Sequence, residues 1–338
     1  MKFLIAGLGS IGRRHFRNLL ALDQHDIVLY RTHQATLPDD ELAGFPVETD
    51  LRSALAHHPD AVIISNPTSL HLDIAIPAAQ SGCHILLEKP VSHSMARLNM
   101  LEQAVQQNGV KVLVGYQFRF HPGMQQVKRI LDSAAIGELL SARAHWGEYL
   151  PNWHPWEDYK LAYAARPELG GGVVLTLSHP LDYLHWFMGD VASVWSLISH
   201  RGMNLPVEDL AEIGLCFRNG SIGSLHLDYN QRPPSHTLEI IGTRGTIRWD
   251  NADGITRLST VGPDEKAGSW QEYSPPVGFE RNWMFLDELR HFCDVLLGKV
   301  EPICNLQDGI KVLQLAISSL ESSQHHQIIN LKDNSTSL

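Results

Sequence analysis

The sequence contains no CxxC pair: Cys83, Cys216, Cys293 and Cys304 stand far apart. That spacing excludes a disulfide framework or a cysteine zinc site and reads as thiols in a reducing cytoplasm. No apolar run reaches the roughly 18 residues that a membrane span needs, so no membrane partner is expected. The apolar stretch Met1–Ala6 is too short for a signal peptide and runs straight into a glycine motif. A block of lysine and arginine is missing too, and the net charge is −10, which argues against nucleic acid as a partner. There are 19 histidines, but His57-His58 and His325-His326 lack further ligands at useful spacing and no HExxH occurs, so no metal is expected. Neither a GxSxG elbow nor a Walker lysine accompanies Gly170-Gly171-Gly172.

What is present describes a globular enzyme. Hydrophobic residues make up 43% and charged residues 19%, which excludes disorder. A chain of 338 residues exceeds what one core usually organises, so two domains are expected. In the first part, apolar strands at 2–6, 27–30, 61–64, 84–87 and 110–116 alternate with helical stretches, including 94–108 stopped by Gly109. That order predicts a doubly wound parallel sheet. After Phe120 the pattern changes. A helix with Pro122 in its first turn is followed by longer alternating strands at 139–148, 191–199, 210–217, 221–230, 237–242 and 246–250. Asn219-Gly220 between two of them signals a hairpin. The predicted class is α/β: an N-terminal Rossmann sheet over 1–120, then an α+β domain over 121–338 with a large open, mostly antiparallel sheet. A last helix, about 306–322, is expected near the N-terminal domain.

Gly7-Leu8-Gly9-Ser10-Ile11-Gly12 sits between the first strand and the first helix. GxGxxG in that context is a dinucleotide signature. Gly7 makes the tight turn, Gly9 lets the backbone approach a pyrophosphate, and Gly12 lets helix and strand pack closely. The free N–H groups of the helix start, at Ser10, Ile11 and Gly12, then face the anion. An NAD enzyme places an acid about 20 residues on to hold the ribose hydroxyls. Here Tyr30-Arg31-Thr32 occupies that place. An acid would repel a 2′-phosphate and an arginine grips it with a planar fork, so NADP(H) is expected over NAD(H), on Arg31 and Thr32 with Arg13 nearby.

Ser65-Asn66-Pro67-Thr68-Ser69-Leu70-His71 and Glu88-Lys89-Pro90 end two further strands, the edge at which open α/β sheets bind ligands. With Gly115-Tyr116-Gln117-Phe118-Arg119-Phe120-His121-Pro122, Gly170-Gly171-Gly172…His179…Asp182 and Ile241-Gly242-Thr243-Arg244-Gly245-Thr246, these segments resemble the Gfo/Idh/MocA family of glucose-fructose oxidoreductase-like and inositol dehydrogenase-like enzymes, in family order and over nearly the whole chain. The resemblance implies reversible hydride transfer between a nicotinamide and a carbon of a sugar, sugar derivative or polyol. It implies cofactor contacts from Asn66, Pro67, His71, Glu88, Lys89 and Gln117. It implies that Lys89 touches the reacting oxygen and that His179 moves its proton. It also implies a sheet that forms a subunit interface, as in a homodimer or homotetramer. Lys89-Pro90 is expected to be a cis bond.

The chemistry stands without the resemblance. The cofactor carries the hydride, and the protein handles the proton on oxygen. An imidazole does this near neutral pH. A lysine beside an oxidised nicotinamide has its pKa lowered and becomes a base. One departure weakens the pattern: the family's aspartate four residues before the histidine is absent, with Leu175 at that spacing and Thr176 as its replacement. Asp182 either orients the imidazole or is an acid favoured by the helix N-terminus. Substrate contacts are expected from Thr176 and from the aromatic stretch 146–159, through His154 and Tyr159. Arg119 is expected to serve substrate or structure. The missing aspartate keeps one rival open, a non-catalytic sensor of cofactor or sugar that regulates a protein partner.

Overall fold

The computed structural model describes residues 1–32, 40–262 and 268–332. Its secondary structure divides between two sheets. The first holds six described strands: β1 (Phe3–Ala6), β2 (Ile27–Tyr30), β3 (Val47–Glu48), β4 (Ala61–Ile64), β5 (His84–Glu88) and β6 (Val112–Gly115). Their order is β3-β2-β1-β4-β5-β6, every pair parallel. β1, β4 and most of β5 are buried on both faces, which is why they read as unbroken apolar runs. Between the strands lie α1 (Ser10–Ala21), α2 (Leu51–Leu55), α3 (His71–Gln80) and α4 (Leu98–Asn108). α4 starts four residues later than the expected 94, because Arg97 takes a left-handed conformation (φ 66°) that no helix interior accepts. The chain winds outward in one direction from β1 and in the other from β4. The strand order therefore reverses between them, where Gly7 and Asn66 stand.

The second sheet follows α5 (Pro122–Asp132). It gathers β7 (Leu139–Gly147), β8 (Val191–Ser199), β9 (Leu210–Phe217), β10 (Ile222–Asp228), β11 (Ser235–Gly242), β12 (Gly245–Asp250), β13 (Thr256–Thr260), β14 (Trp270–Tyr273) and β15 (Ile329–Asn330). The order is β14-β13-β12-β11-β7-β10-β9-β8-β15, antiparallel except at β7/β10. Gly220 turns the β9–β10 hairpin at φ 87°. Two short helices, α6 (Val173–Thr176) and α7 (His179–Met188), precede β8. The chain ends with α8 (Asn282–Leu296) and α9 (Leu306–His325) ahead of β15.

The chain forms two compact units, and their limits differ from the expected 1–120 and 121–338. The first unit is Met1–Gln117 together with Glu280–Leu313; the second is Phe118–Phe279 with Gln314–Leu338. α8 belongs to the first unit because its apolar face is shaped for α1. Met284, Phe285, Leu289 and Phe292 are buried, the Phe285 ring meets His15 edge-on at 6.3 Å, and the Arg14 guanidinium lies 4.4 Å over it. The Val114 amide donates to Cys304 O at 2.9 Å, adding a further tie. The unit boundary falls inside α9, so the expectation for that helix applies to its first turns. Linear reading missed the return because it assumes that neighbours in sequence share a core.

Candidate active site

In the first unit the three motif glycines have different reasons to be glycine. Gly7 takes φ 92°, and a Cβ there would collide with the Asn66 backbone. A Cβ on Gly12 would collide with the carbonyl of Gly7. At Gly9 a Cβ meets nothing within 4 Å and φ is −73°, so the protein itself makes no demand for glycine there. That open space leaves room for a group to come close to the Gly9 backbone. Gly9 caps α1 without a side-chain hydrogen bond, and the first turn carries no acid, which leaves the amides of Ser10, Ile11 and Gly12 for an anion. Asn66 Oδ1 is buried with no hydrogen-bond partner among the described residues, the kind of atom that a ribose hydroxyl satisfies. These features fit a dinucleotide.

Other expected cofactor residues are placed as follows. Pro67 follows Asn66 at the end of β4, and Gln117 is buried just after β6. Arg31 ends β2 with its amide on Glu48 O at 3.1 Å, and Thr32 is exposed. Arg13 is committed elsewhere: its guanidinium donates to Leu8 O at 3.2 Å and to Glu41 Oε1 at 3.0 Å. The His71 ring is buried between Pro90 O (Nδ1, 2.9 Å) and Asn66 O (Nε2, 3.0 Å). Burial lowers its pKa, and a neutral ring has one N–H to serve those two carbonyls. His71 therefore ties the two strand-end loops together.

Lys89 follows β5, and the Lys89-Pro90 bond is cis. Its side chain is half-buried, and desolvation brings the ammonium down to about 8; the neighbouring Glu88 opposes this and Arg281 adds to it. A lysine in that state gives or takes a proton near neutral pH.

The second unit places the expected substrate residues around α6 and α7. His179 opens α7 and is buried, with Phe118 edge-on at 5.2 Å and Trp146 tilted at 5.5 Å. Trp146 is stacked flat on His236 at 4.3 Å, and His236 Nε2 lies 3.2 Å from the Tyr183 hydroxyl. Stacked rings lose little entropy on ordering, so this wall holds the imidazole firmly. Thr176 is buried, and the nearby Tyr229 hydroxyl, whose pKa it lowers against desolvation, donates to Ala164 O at 3.4 Å. Asp182 is held by Arg119: Nε donates at 3.1 and 3.2 Å and Nη2 at 2.8 Å, with both side chains almost wholly buried. This pairing is in keeping with the structural one of the two roles expected of Arg119. The carboxylate is engaged by a guanidinium, and the guanidinium is engaged by the fold. In the aromatic stretch, Trp146 is buried in β7, Trp153 meets Tyr229 at 5.6 Å, and Trp156 is exposed. His154 and Tyr159 are half-buried, and His154 Nδ1 has no hydrogen-bond partner among the described residues.

Glu208 was not foreseen. Its carboxylate accepts from the Val174 amide at 3.1 Å, and a Cβ on Gly172 would collide with it. Burial pushes its pKa up to about 7. No motif marks it, since it reaches the Gly170–Gly172 turn from the segment just before β9, 34 residues from Val174. Sequence spacing also missed a surface cluster on β7, β9 and β10. There His226 Nδ1 is 2.6 Å from Glu212 Oε1 and Nε2 is 3.0 Å from Asp228 Oδ2. Both contacts raise the pKa of this histidine, Asp228 more than Glu212, which favours the imidazolium form between two carboxylates.

The family model described as an oxidoreductase family with an NAD-binding Rossmann fold matches residues 1–116, and that of the GFO/IDH/MocA C-terminal domain matches 124–248. The chain belongs to the Gfo/Idh/MocA oxidoreductase family. Among family relatives, the myo-inositol 2-dehydrogenase of Thermotoga maritima is 24% identical, over 98% of this chain and 99% of its own. An uncharacterized oxidoreductase of Bacillus subtilis is 27% identical over 94% of this chain and 93% of its own. The structure of levoglucosan dehydrogenase in complex with NADH and levoglucosan superposes with a TM-score of 0.87 at 20% identity, covering 98% of this chain and 100% of that one. Among the described residues no helix is long and apolar enough to cross a membrane.

For this family member, Gly9→Ala is expected to leave thermal stability unchanged and to weaken dinucleotide binding about tenfold or more, the affinity equivalent of overpacking. Gly12→Ala is expected to cost about 1–3 kcal/mol of stability, because its collision is with backbone. Thermal melts and cofactor titration of both variants check this; an equal loss of stability at the two positions sinks it.

Proposed function

We propose that this oxidoreductase catalyses reversible hydride transfer between a nicotinamide dinucleotide and a hydroxyl-bearing carbon of a sugar, sugar derivative or polyol. The observation that carries the reading is Lys89, with its pKa lowered to about 8 at the end of β5, which β4 separates from the strand of the glycine turn. The nicotinamide, when bound, supplies or accepts the hydride. Lys89 takes the hydroxyl proton in oxidation and, as an ammonium, polarises the carbonyl in reduction. His179, ordered by Phe118 and Trp146, is the second proton carrier. Thr176, His154 and Tyr159 contribute polar contacts to a hydroxylated ring, and Trp153 and Trp156 offer faces for its C–H surface. Relatives named for myo-inositol, levoglucosan and 1,5-anhydro-D-fructose support a cyclic polyhydroxylated substrate. Incubation with oxidised cofactor and a panel of such compounds is expected to raise the absorbance of reduced nicotinamide. A protein that binds the cofactor but never reduces it across the panel is a sensor, and the reading falls.

Arg31 supports a preference for NADP(H), with Thr32 beside it on the 2′-phosphate; the levoglucosan dehydrogenase structure contains NADH, so the preference is a property of this chain's own residues. Arg31→Ala is expected to weaken NADP(H) roughly ten- to a hundredfold and to leave NAD(H) nearly unchanged, the value of a hydrogen bond to a charged group. Tighter binding of NAD(H) than NADP(H) by the unaltered protein overturns this.

The outer face of the second sheet supports self-association as a homodimer or homotetramer. Cross-strand pairing aligns Cys216, Ile222, Ser141, Ile241, Thr246, Ser259 and Trp270 in one row on that face. Ile222, Ile241 and Trp270 are exposed, as are Trp195 and Leu197 on β8. An apolar row of this kind is costly to leave in water. The free cysteines are in keeping with a reducing cytoplasm.

A further inference from the structure

The hydride-transfer reading leaves one buried cluster of the first unit unused. His15 on α1, Glu88 at the end of β5 and Glu288 on α8 each bring a donor or acceptor atom to within 4.8 Å of the others. His15 and Glu288 are 0% exposed and Glu88 is 8% exposed. His15 Nε2 lies 2.8 Å from Glu88 Oε1. Neither carboxyl oxygen of Glu288 has a hydrogen-bond partner among the described residues. An ionised carboxylate without hydrogen bonds in a dry interior is among the most costly arrangements a fold can hold. A second carboxylate beside it raises that cost, and two such groups sharing a site do not both ionise.

The charged groups around Glu288 leave its neutral form favoured. α1 supplies His15 and Arg14, β5 supplies Glu88, and Arg281 stands just before α8. His15 Nε2 is spent on Glu88, and the Arg14 guanidinium lies over the Phe285 ring. Burial and the charge of Glu88 both drive the Glu288 pKa well above the usual carboxylate range.

We propose that Glu288 is a positioning residue of the active site: it stays a neutral carboxylic acid, donates its proton to the Glu88 carboxylate, and so holds in one charge state the residue that precedes Lys89. The functional half of this proposal rests on the assignment of the proton step to Lys89. Glu88 is the charge that raises the proton affinity of Lys89 against desolvation. A Glu88 held charged by two donors, His15 and Glu288, keeps that affinity constant. Without the Glu288 donor, the Glu88 carboxylate is held by His15 alone, and the counter-charge it presents to Lys89 is less firmly placed.

The test compares Glu288→Gln with Glu288→Leu. Gln keeps an uncharged donor of the same shape, so the pH profile of kcat/KM is expected to match the unaltered enzyme. Leu removes the donor; the limb set by Lys89 is expected to move to lower pH, and kcat to fall about tenfold, the loss of one hydrogen bond to a charged group. A Glu288→Gln limb that moves to lower pH means that Glu288 was ionised and overturns the proposal, as does a Glu288→Leu profile identical to the unaltered one. An independent reading needs no turnover. A component of the infrared absorption of protonated carboxylic acids, separate from that of Glu208, is expected at neutral pH in the unaltered protein and should be lost in Glu288→Gln. Its absence overturns the proposal even if hydride transfer is confirmed, and its presence stands even if hydride transfer fails or Glu288→Leu does not fold. A stoichiometric divalent metal in the purified protein, lost in Glu288→Gln, also overturns it, since the carboxylates would then be ligands.

Discussion

Lys89→Met is expected to lower kcat by roughly 10³-fold while cofactor affinity changes little, the usual scale for loss of a positioned general acid–base group. Met keeps the length and apolar stem of the side chain and removes the ammonium, so the packing beside Pro90 survives. The unaltered enzyme should show oxidation that rises with pH through about 8, as the Lys89 ammonium gives up its proton. The sign follows from the role: oxidation needs the free amine, which accumulates above the pKa, and reduction needs the ammonium, which accumulates below it. The variant should lose that limb. Steady-state kinetics in both directions and a cofactor titration are the measurements. Turnover within tenfold of the unaltered enzyme would remove Lys89 from the proton step and pass the role to His179.

Arg119→Met should be the most destabilising single change near α7. It leaves Asp182 buried and charged with its guanidinium partner gone, and breaking a buried ion pair in this way costs about 3–5 kcal/mol. Thermal melting should fall by about 10 °C, since each kcal/mol moves a chain of this size by a few degrees. Arg119→Met combined with Asp182→Leu should recover most of the loss, because no unpaired charge remains. The pair separates two roles for Arg119. Unchanged stability together with a much raised KM would show that the guanidinium belongs to the substrate and that Asp182 finds another partner.

Both expectations rest on residues whose importance could be read in the chain but whose partners could not. Lys89 was legible because Glu88-Lys89-Pro90 ends an apolar strand, and strand ends are where open sheets bind ligands. Arg119 and Asp182 were legible as candidates, yet 63 residues separate them and no local periodicity links a residue after β6 to one on α7. Separation along the chain likewise hid Glu208 from the Gly170–Gly172 turn and Glu288 from Glu88. β13 and β14 escaped notice for a different reason. They are short, five and four residues, and β14 at the edge of the sheet buries none of its residues, so little periodicity marks them.

The sequence by itself determined the Rossmann half, the family, and the places of Gly7, Gly9, Gly12 and Lys89. Each of those depends on a strand, a turn and a helix that are contiguous in the chain, so local sterics and periodicity suffice. Only the tertiary structure decided that Glu280–Leu313 returns to the first unit, that Arg119 pairs with Asp182, and that Glu288 lies buried beside Glu88. Burial and charge pairing set those states, and both depend on neighbours that meet only when the chain has folded. Gly9 joins the two levels: the motif named it, and the open space at its α-carbon shows that the packing of the fold does not itself require glycine there.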